Sequence, residues 1–292
     1  MIPATITISL PAAKWWRRLL WLFRRRTYRI RLPEQWEEVP AKQLKPILKA
    51  LLQRGQLSDR AVGLLILREL LPLSRWLFYK LPPIEVVEKL QPCVKWFLDT
   101  PIAVPVCATV SHRGTCWILP EPAAKNMALQ QYLSIEQEWR RMVDADEDIP
   151  TLLACILRPA GEATTLALQT DGLLPSAPRP QLRAWANHLA DLPEVWVYYI
   201  IEYWQQQRLQ LQKDYPTFFT ASADDGNAPE IDWDLIPGRI AEAGVFGPVH
   251  QVLRTPVRTY LAWANANKEE AGEQQQKSLQ DMIRQNHQKY LA

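Results

Sequence analysis

Residues 4–10, Ala-Thr-Ile-Thr-Ile-Ser-Leu, alternate polar and apolar positions at period two, the pattern of a half-buried strand. Residues 27–33 alternate in the same way and place Tyr28, Ile30 and Leu32 on one face. The two runs predict a hairpin, with 11–26 as a helical excursion between its strands. After Pro33 the period lengthens. Leu44, Ile47, Leu48, Leu51 and Leu52 recur at three- and four-residue steps, which predicts a helix that Gly55 stops in the left-handed conformation. Ser58 or Asp59 is the expected cap of a second helix that ends before Pro72. Residues 73–98 read as two further short helices broken at Pro82-Pro83.

Between Pro101 and Pro120 the residues become β-branched, and Ser-His-Arg-Gly-Thr supplies a turn, so a second hairpin is expected near 102–119. A turn centred on Arg113-Gly114 sets Ser111 opposite Cys116. Helical patterns resume over 123–145 and 149–159, whereas 162–175 fits neither period. Residues 180–215 read as one short and one long helix, and 233–266 as three brief ones. The expected fold is mainly α, a multi-helix bundle-like body with one or two small β-hairpins. The expected domains are an N-terminal basic β-arm with an amphipathic helix (1–33), a helical body (34–219), a small, acidic, turn-forming linker (220–230), a C-terminal helical subdomain (231–266) and a polar tail, frayed or disordered (267–292).

Composition supports short helices that stop and restart. The 292-residue chain holds 24 Pro and only ten Gly, which disfavours glycine-rich phosphate loops and an all-β fold built on tight turns. Thirteen Trp call for large buried surfaces with a partner for each indole N–H. The four cysteines form no Cys-x-x-Cys pair, and reduced thiols in a cytosolic protein are the expectation. No run approaches the eighteen apolar residues of a membrane span, and the 19–23 stretch is too short and too Arg-flanked for a signal peptide's apolar region.

Charge changes the picture more. Residues 1–33 carry eight basic side chains and no acid, a local +8, which leaves −5 on the rest of a chain whose net charge is +3. The basic character is therefore one local feature. Wound as a helix, Trp15, Trp16, Leu19, Leu20, Leu22 and Phe23 fall on one arc, with Arg17 and Arg18 pointing away and Arg24, Arg25 and Arg26 following. Such a helix is too short to hold alone in water and needs a surface. These eleven residues are the expected partner- or surface-binding set. Three surfaces compete for them: protein, an anionic membrane and a nucleic-acid backbone. The net-acidic remainder ranks protein first and nucleic acid last.

Catalytic and metal chemistry find little footing. His112, His188, His250 and His287 lie far apart in unlike contexts, and no His-Glu-x-x-His or Gly-x-Ser-x-Gly is present. Asp144 to Asp148 place oxygens like a calcium loop, but Ile149 stands where Gly is required and Cys155 where Glu is. The aromatic run Val195–Trp204 reads as a packed core helix, since no basic residue accompanies it before Arg208. The expectation is a protein without catalytic residues, metal, cofactor or small-molecule substrate.

Four stretches resemble, in order, a family encoded in tail-gene modules of Bacteroidota phages and prophages. They begin at Tyr28, Leu70, Ser134 and Gly244. In that family a strand leads into Leu-Pro-x-x-Trp and a later Gln-Leu, here Leu32, Pro33, Trp36 and Gln43. An acidic helix then precedes an apolar helix closed by Arg-Pro, here Glu136, Glu138, Arg158 and Pro159. The Trp/Arg segment 14–26 and the lack of a Tyr before Arg158 depart from the pattern. The resemblance implies a phage-tail assembly chaperone or minor tail component, cytoplasmic in a bacterial host or part of the particle, whose partner is a tape-measure or tail-tube protein.

Overall fold

The computed structural model describes residues 5–9, 27–71, 78, 86–145, 148–220, 236–242 and 244–268. The fold is mainly helical with minor β structure, as the sequence pattern predicts. Two compact units emerge: one is formed by Met1–Cys107 with Leu192–Tyr203, the other by Ala108–Asp191 with Trp204–Ala292.

In the first unit, β1 (Thr5–Ser9) and β2 (Thr27–Arg31) pair antiparallel, with Ile6 opposite Ile30 and Ile8 opposite Tyr28. Residues 221–230 of the expected linker, the helical excursion 11–26 and the tail from 269 lie outside the described residues. Helix α1 (Ala41–Leu52) buries Leu44, Ile47, Leu48 and Leu51 of the predicted stripe and leaves Leu52 half-buried, and it carries Pro46 in its interior. Gly55 does not stop it in the left-handed conformation. Instead Gln53–Gly55 tightens into a 3-10 turn, because the Gln53 N–H is already satisfied by the Ala50 and Leu51 carbonyls. Ser58 caps α2 (Asp59–Leu70) by accepting from the Ala61 N–H, and Asp59 sits in its first turn, where a carboxylate favours the helix dipole. Of the two helices expected over 73–98, the first falls largely outside the described residues. The second is a π turn (Val86–Leu90), a 3-10 turn (Gln91–Val94) and the single-turn α3 (Trp96–Asp99).

The core of this unit is largely aliphatic, with an aromatic cluster at one side. The Trp36 ring meets Trp96 edge-on at 5.5 Å and Phe97 at 5.0 Å, while Trp96 and Phe97 stack at 3.8 Å. Both indoles are satisfied: Trp36 Nε1 donates to the Thr100 carbonyl at 2.9 Å and Trp96 Nε1 to that of Pro33 at 3.0 Å.

In the second unit, β3 (Thr109–His112) and β4 (Thr115–Ile118) form the expected hairpin, and Ser111 does stand opposite Cys116. Arg113 (φ 47°) and Gly114 (φ 76°) both adopt positive φ, the two-residue turn whose twist matches a hairpin. The cysteines are free. A short third strand, β5 (Arg158–Pro159), pairs with β4. The unit also contains α4 (Leu129–Ala145), α5 (Ile149–Ile156), α6 (Glu162–Thr170) and α7 (Arg179–Leu189). The long helix α8 (Glu194–Asp214) begins in the first unit and ends in the second.

Asp148, the last of the acidic run, caps α5 by accepting from the Thr151 N–H at 3.3 Å. The brief helices α9 (Pro216–Thr220), α10 (Ile236–Glu242), α11 (Val249–Arg254) and 257–268 close the described chain. The stretch expected as a C-terminal subdomain joins the second unit through main-chain bonds: the Leu129 N–H donates to the Thr255 carbonyl and that of Val257 to Met127. No helix among the described residues is long and apolar enough to cross a membrane.

Candidate functional site

The eleven residues expected to bind a partner, from Trp15 to Arg26, lie outside the described residues. The described chain instead assembles a polar corner in the second unit that sequence distance conceals. The tight Arg113-Gly114 turn leaves His112 at the end of β3, and Asp191 follows the end of α7 by two residues. His112 Nε2 lies 3.1 Å from Asp191 Oδ1, so against an ionised carboxylate this nitrogen is the donor. Arg113 Nη2 donates to the other oxygen, Oδ2.

One layer inward, His188 of α7 packs edge-on against His112 with ring centroids 5.8 Å apart, and its Nε2 lies 3.4 Å from the His112 carbonyl. The fully buried Trp117 lies beneath, 5.7 Å from His188 and 6.2 Å from Trp185. Desolvation opposes the Asp191 charge, but the His112 hydrogen bond and the Arg113 cation outweigh it and hold this carboxyl below the usual range.

This corner brings together two of the four histidines that their sequence contexts held apart. Only the hairpin turn was visible beforehand; the partners lie 76 to 79 residues away and no local pattern announces them. The adjacent Ser111 stands opposite the free Cys116 in the hairpin register. Among the described residues, no three His, Cys, Asp or Glu side chains converge as a metal site.

The residues of the Leu-Pro-x-x-Trp and Arg-Pro motifs hold the fold. Leu32 and Trp36 are buried, and Gln43 donates to the Glu69 carbonyl at 3.0 Å. Glu136 accepts a bidentate pair from Arg208, at 2.7 and 2.9 Å, and the guanidinium also lies over the Trp139 ring. Beside it the Tyr132 hydroxyl is pushed well above its usual pKa, first by burial and then by the Glu136 charge. Glu138 takes only an exposed bond from Arg141.

Arg158 is 2% exposed, with no carboxylate partner among the described residues. Its Nη1 donates to the Ala154, Cys155 and Leu157 carbonyls and its Nε to Pro175, so the cation neutralises the negative end of α5. Burial lowers its pKa to about 10 and pushes that of the neighbouring Cys155 thiol up to about 12.

Two clefts open in the first unit. One, of about 260 Å³, runs between α2 and the Gln91–Asp99 turns, with Gly63 on its floor. The other, of about 220 Å³, is lined by Trp36, Arg54, Thr100, Tyr198 and Glu202 among others. In the second unit, α6 presents a shallow open face of Glu162, Ala163, Thr165, Leu166 and Gln169. Only Thr164 of this helix is buried, and Leu166 is 61% exposed. Comparison with known proteins finds no matching family model, no matching curated protein and no matching solved structure.

Proposed function

We propose that the protein is a non-enzymatic binding and assembly protein, in the manner of the phage-tail assembly chaperones that its motif order resembles, and that its partner is a long helical protein such as a tape-measure protein. The observation that carries this reading is α6. A nine-residue helix is marginal in water unless its apolar side is covered, and this one buries a single residue while exposing Leu166. Ala163 and Leu166 are three residues apart and share a face, a spacing suited to receiving a partner helix. The buried Glu136 and Arg158 of the second unit, and the half-buried Arg208, are engaged in holding the fold.

In this reading the protein acts in the cytoplasm of a bacterial host or within the particle, and the basic arm 15–26 adds a second contact to the partner. The test is co-expression with the long coiled-coil protein of a neighbouring gene. The reading requires co-purification that Leu166→Glu weakens at least tenfold; a gene neighbourhood without tube, sheath or tape-measure proteins overturns it. Sequence favours a second reading, in which Trp15, Trp16, Leu19, Leu20, Leu22 and Phe23 enter an anionic bilayer beside Arg17, Arg18 and Arg24–Arg26. Flotation of the full chain, but not of a 11–26 deletion, with anionic liposomes would replace the assembly reading by a peripheral membrane one.

A further inference from the structure

The cleft of the first unit between α2 and the Gln91–Asp99 turns carries an inference that does not depend on α6. At about 260 Å³ it falls below the roughly 300–1,000 Å³ of sites for drug-sized ligands, so it suits one aryl or branched alkyl group. Its apolar lining is Pro92, Val94, Leu98 and the backbone at Gly63. Gly63 lies inside α2, where glycine is disfavoured relative to alanine. Packing does not demand it. Its backbone is helical, and a methyl group there would meet the Gln91 and Val94 side chains at 3.7–3.8 Å, which is ordinary contact. The helix therefore gives up stability at the floor of a cleft, and the missing methyl leaves room there.

The polar lining is unevenly engaged. Asp59 is held by Arg54 at 3.0 Å, and Asp99 lies 4.0 Å from Lys95. The exposed Arg60 has no carboxylate partner among the described residues, and the Gln91 amide makes no hydrogen bond among them. Three cations, Arg54, Arg60 and Lys95, thus face two carboxylates. Two donors are left over beside an apolar floor, and one of them is charged.

We propose that this cleft is a binding site for an apolar carboxylate, with the apolar group seated over Gly63 and the carboxylate on Arg60 and Gln91.

The selectivity follows from the lining. A carboxylate gains a charge-assisted bond from the unpaired guanidinium. A neutral ligand of the same shape gains only the floor. A cationic one meets Arg60 and has to compete with Arg54 and Lys95 for acids that are already engaged. Because Arg60 is exposed, its share is screened by salt, whereas the share of the floor is not.

The test is an NMR titration of the full chain with phenylbutyrate, following the methyl signals of Val94 and Leu98, with phenylbutanol and phenylbutylamine as controls. The site requires saturable shifts at both residues and the affinity order acid, alcohol, amine. Absent shifts, or an amine that binds as tightly as the acid, overturn it. Arg60→Gln must bring the acid to the level of the alcohol, a loss of at least threefold, and a retained preference for the acid overturns the role of Arg60. Gly63→Ala separates binding from folding: its thermal midpoint must rise while the affinities for acid and alcohol both fall at least fivefold. An unmoved affinity, or a lowered midpoint, overturns the seat at Gly63. A hexapeptide ending in Leu distinguishes the sources of such a ligand. Displacement of phenylbutyrate by its free-carboxylate form but not its amide assigns the site to a chain terminus, and displacement by neither assigns it to a free acid.

Discussion

Trp36 and Trp117 are almost equally buried, at 3% and 1% exposure, yet they sit in opposite polar circumstances. In the first unit the Trp36 and Trp96 N–H groups both reach main-chain carbonyls, and the aromatic cluster is a hydrophobic core with its polar edges satisfied. In the second unit Trp117 Nε1 and Trp204 Nε1 are buried without a partner among the described residues, as is Gln131 Oε1. The same unit holds a part-buried ion pair and a buried guanidinium that has no counter-ion among the described residues. An unsatisfied buried donor costs about 1–3 kcal/mol, a cost that the Trp36 and Trp96 indoles of the first unit avoid. A buried charge pair is weak evidence for stability, but breaking one is severe. The contrast therefore locates the protein's mutational sensitivity: charged positions in the second unit, aromatic ones in the first.

The largest effect is expected at Glu136. Replacing it by Ala strands the Arg208 guanidinium and should cost about 3–5 kcal/mol of unfolding free energy, read by urea denaturation. The Glu136→Gln, Arg208→Gln double variant should recover a large part of that loss. If Glu136→Ala cost less than 1 kcal/mol, the ionic core would not be where the second unit's stability is concentrated.

Arg158 sharpens the comparison next. Arg158→Met keeps much of the apolar stem but removes the donors to the Ala154, Cys155, Leu157 and Pro175 carbonyls. The expected loss is about 2–4 kcal/mol, less than a stripped ion pair because the carbonyls at the end of α5 are dipoles rather than charges. Circular dichroism during thermal melting measures it.

How far these positions could be foreseen differs along the same divide. The α1 stripe, the Ser58 cap and the register of the β3–β4 hairpin were legible, because each depends on residues within a few positions of one another. Gly55 misled, since a glycine after a helix permits the left-handed stop without requiring it. Helix α6 left no periodic signal because it buries only Thr164, and a helix without an apolar stripe has nothing for periodicity to find. The Glu136–Arg208 pair spans 72 residues and the His112–His188 contact 76, so only the completed topology creates them. The candidate site was the least legible part of the chain for that reason.

A matched pair of conservative substitutions tests the comparison directly. Trp36→Phe removes the donor to the Thr100 carbonyl along with some buried area, and should cost about 1–3 kcal/mol. Trp117→Phe loses similar area but also removes an unsatisfied N–H, so its cost should be smaller by about 1 kcal/mol or more. Equal costs would mean that the Trp117 N–H is satisfied in solution, and the two cores would then not differ in the way described.

The smallest effects concern the backbone, where the two units are alike. Pro46 lies at the sixth position of α1, past the first turn, so its missing N–H leaves the Lys42 carbonyl without its helical donor. Pro46→Ala restores that bond and gives up some rigidity of the unfolded chain, for a net gain of about 1–2 kcal/mol. The second unit's counterpart is Ala123, held at φ 54° while its N–H donates to Gln207 Oε1 at 2.6 Å. Glycine accepts that conformation without a Cβ penalty of about 1–2 kcal/mol. Glycine also adds entropy to the unfolded chain, so Ala123→Gly should stabilise by no more than about 1 kcal/mol. Thermal melting of both single variants reads the two gains side by side. A loss at Ala123→Gly would show that the methyl's packing outweighs the strain, and the second unit would then hold its tightest constraint in the 122–124 turn rather than in its charges.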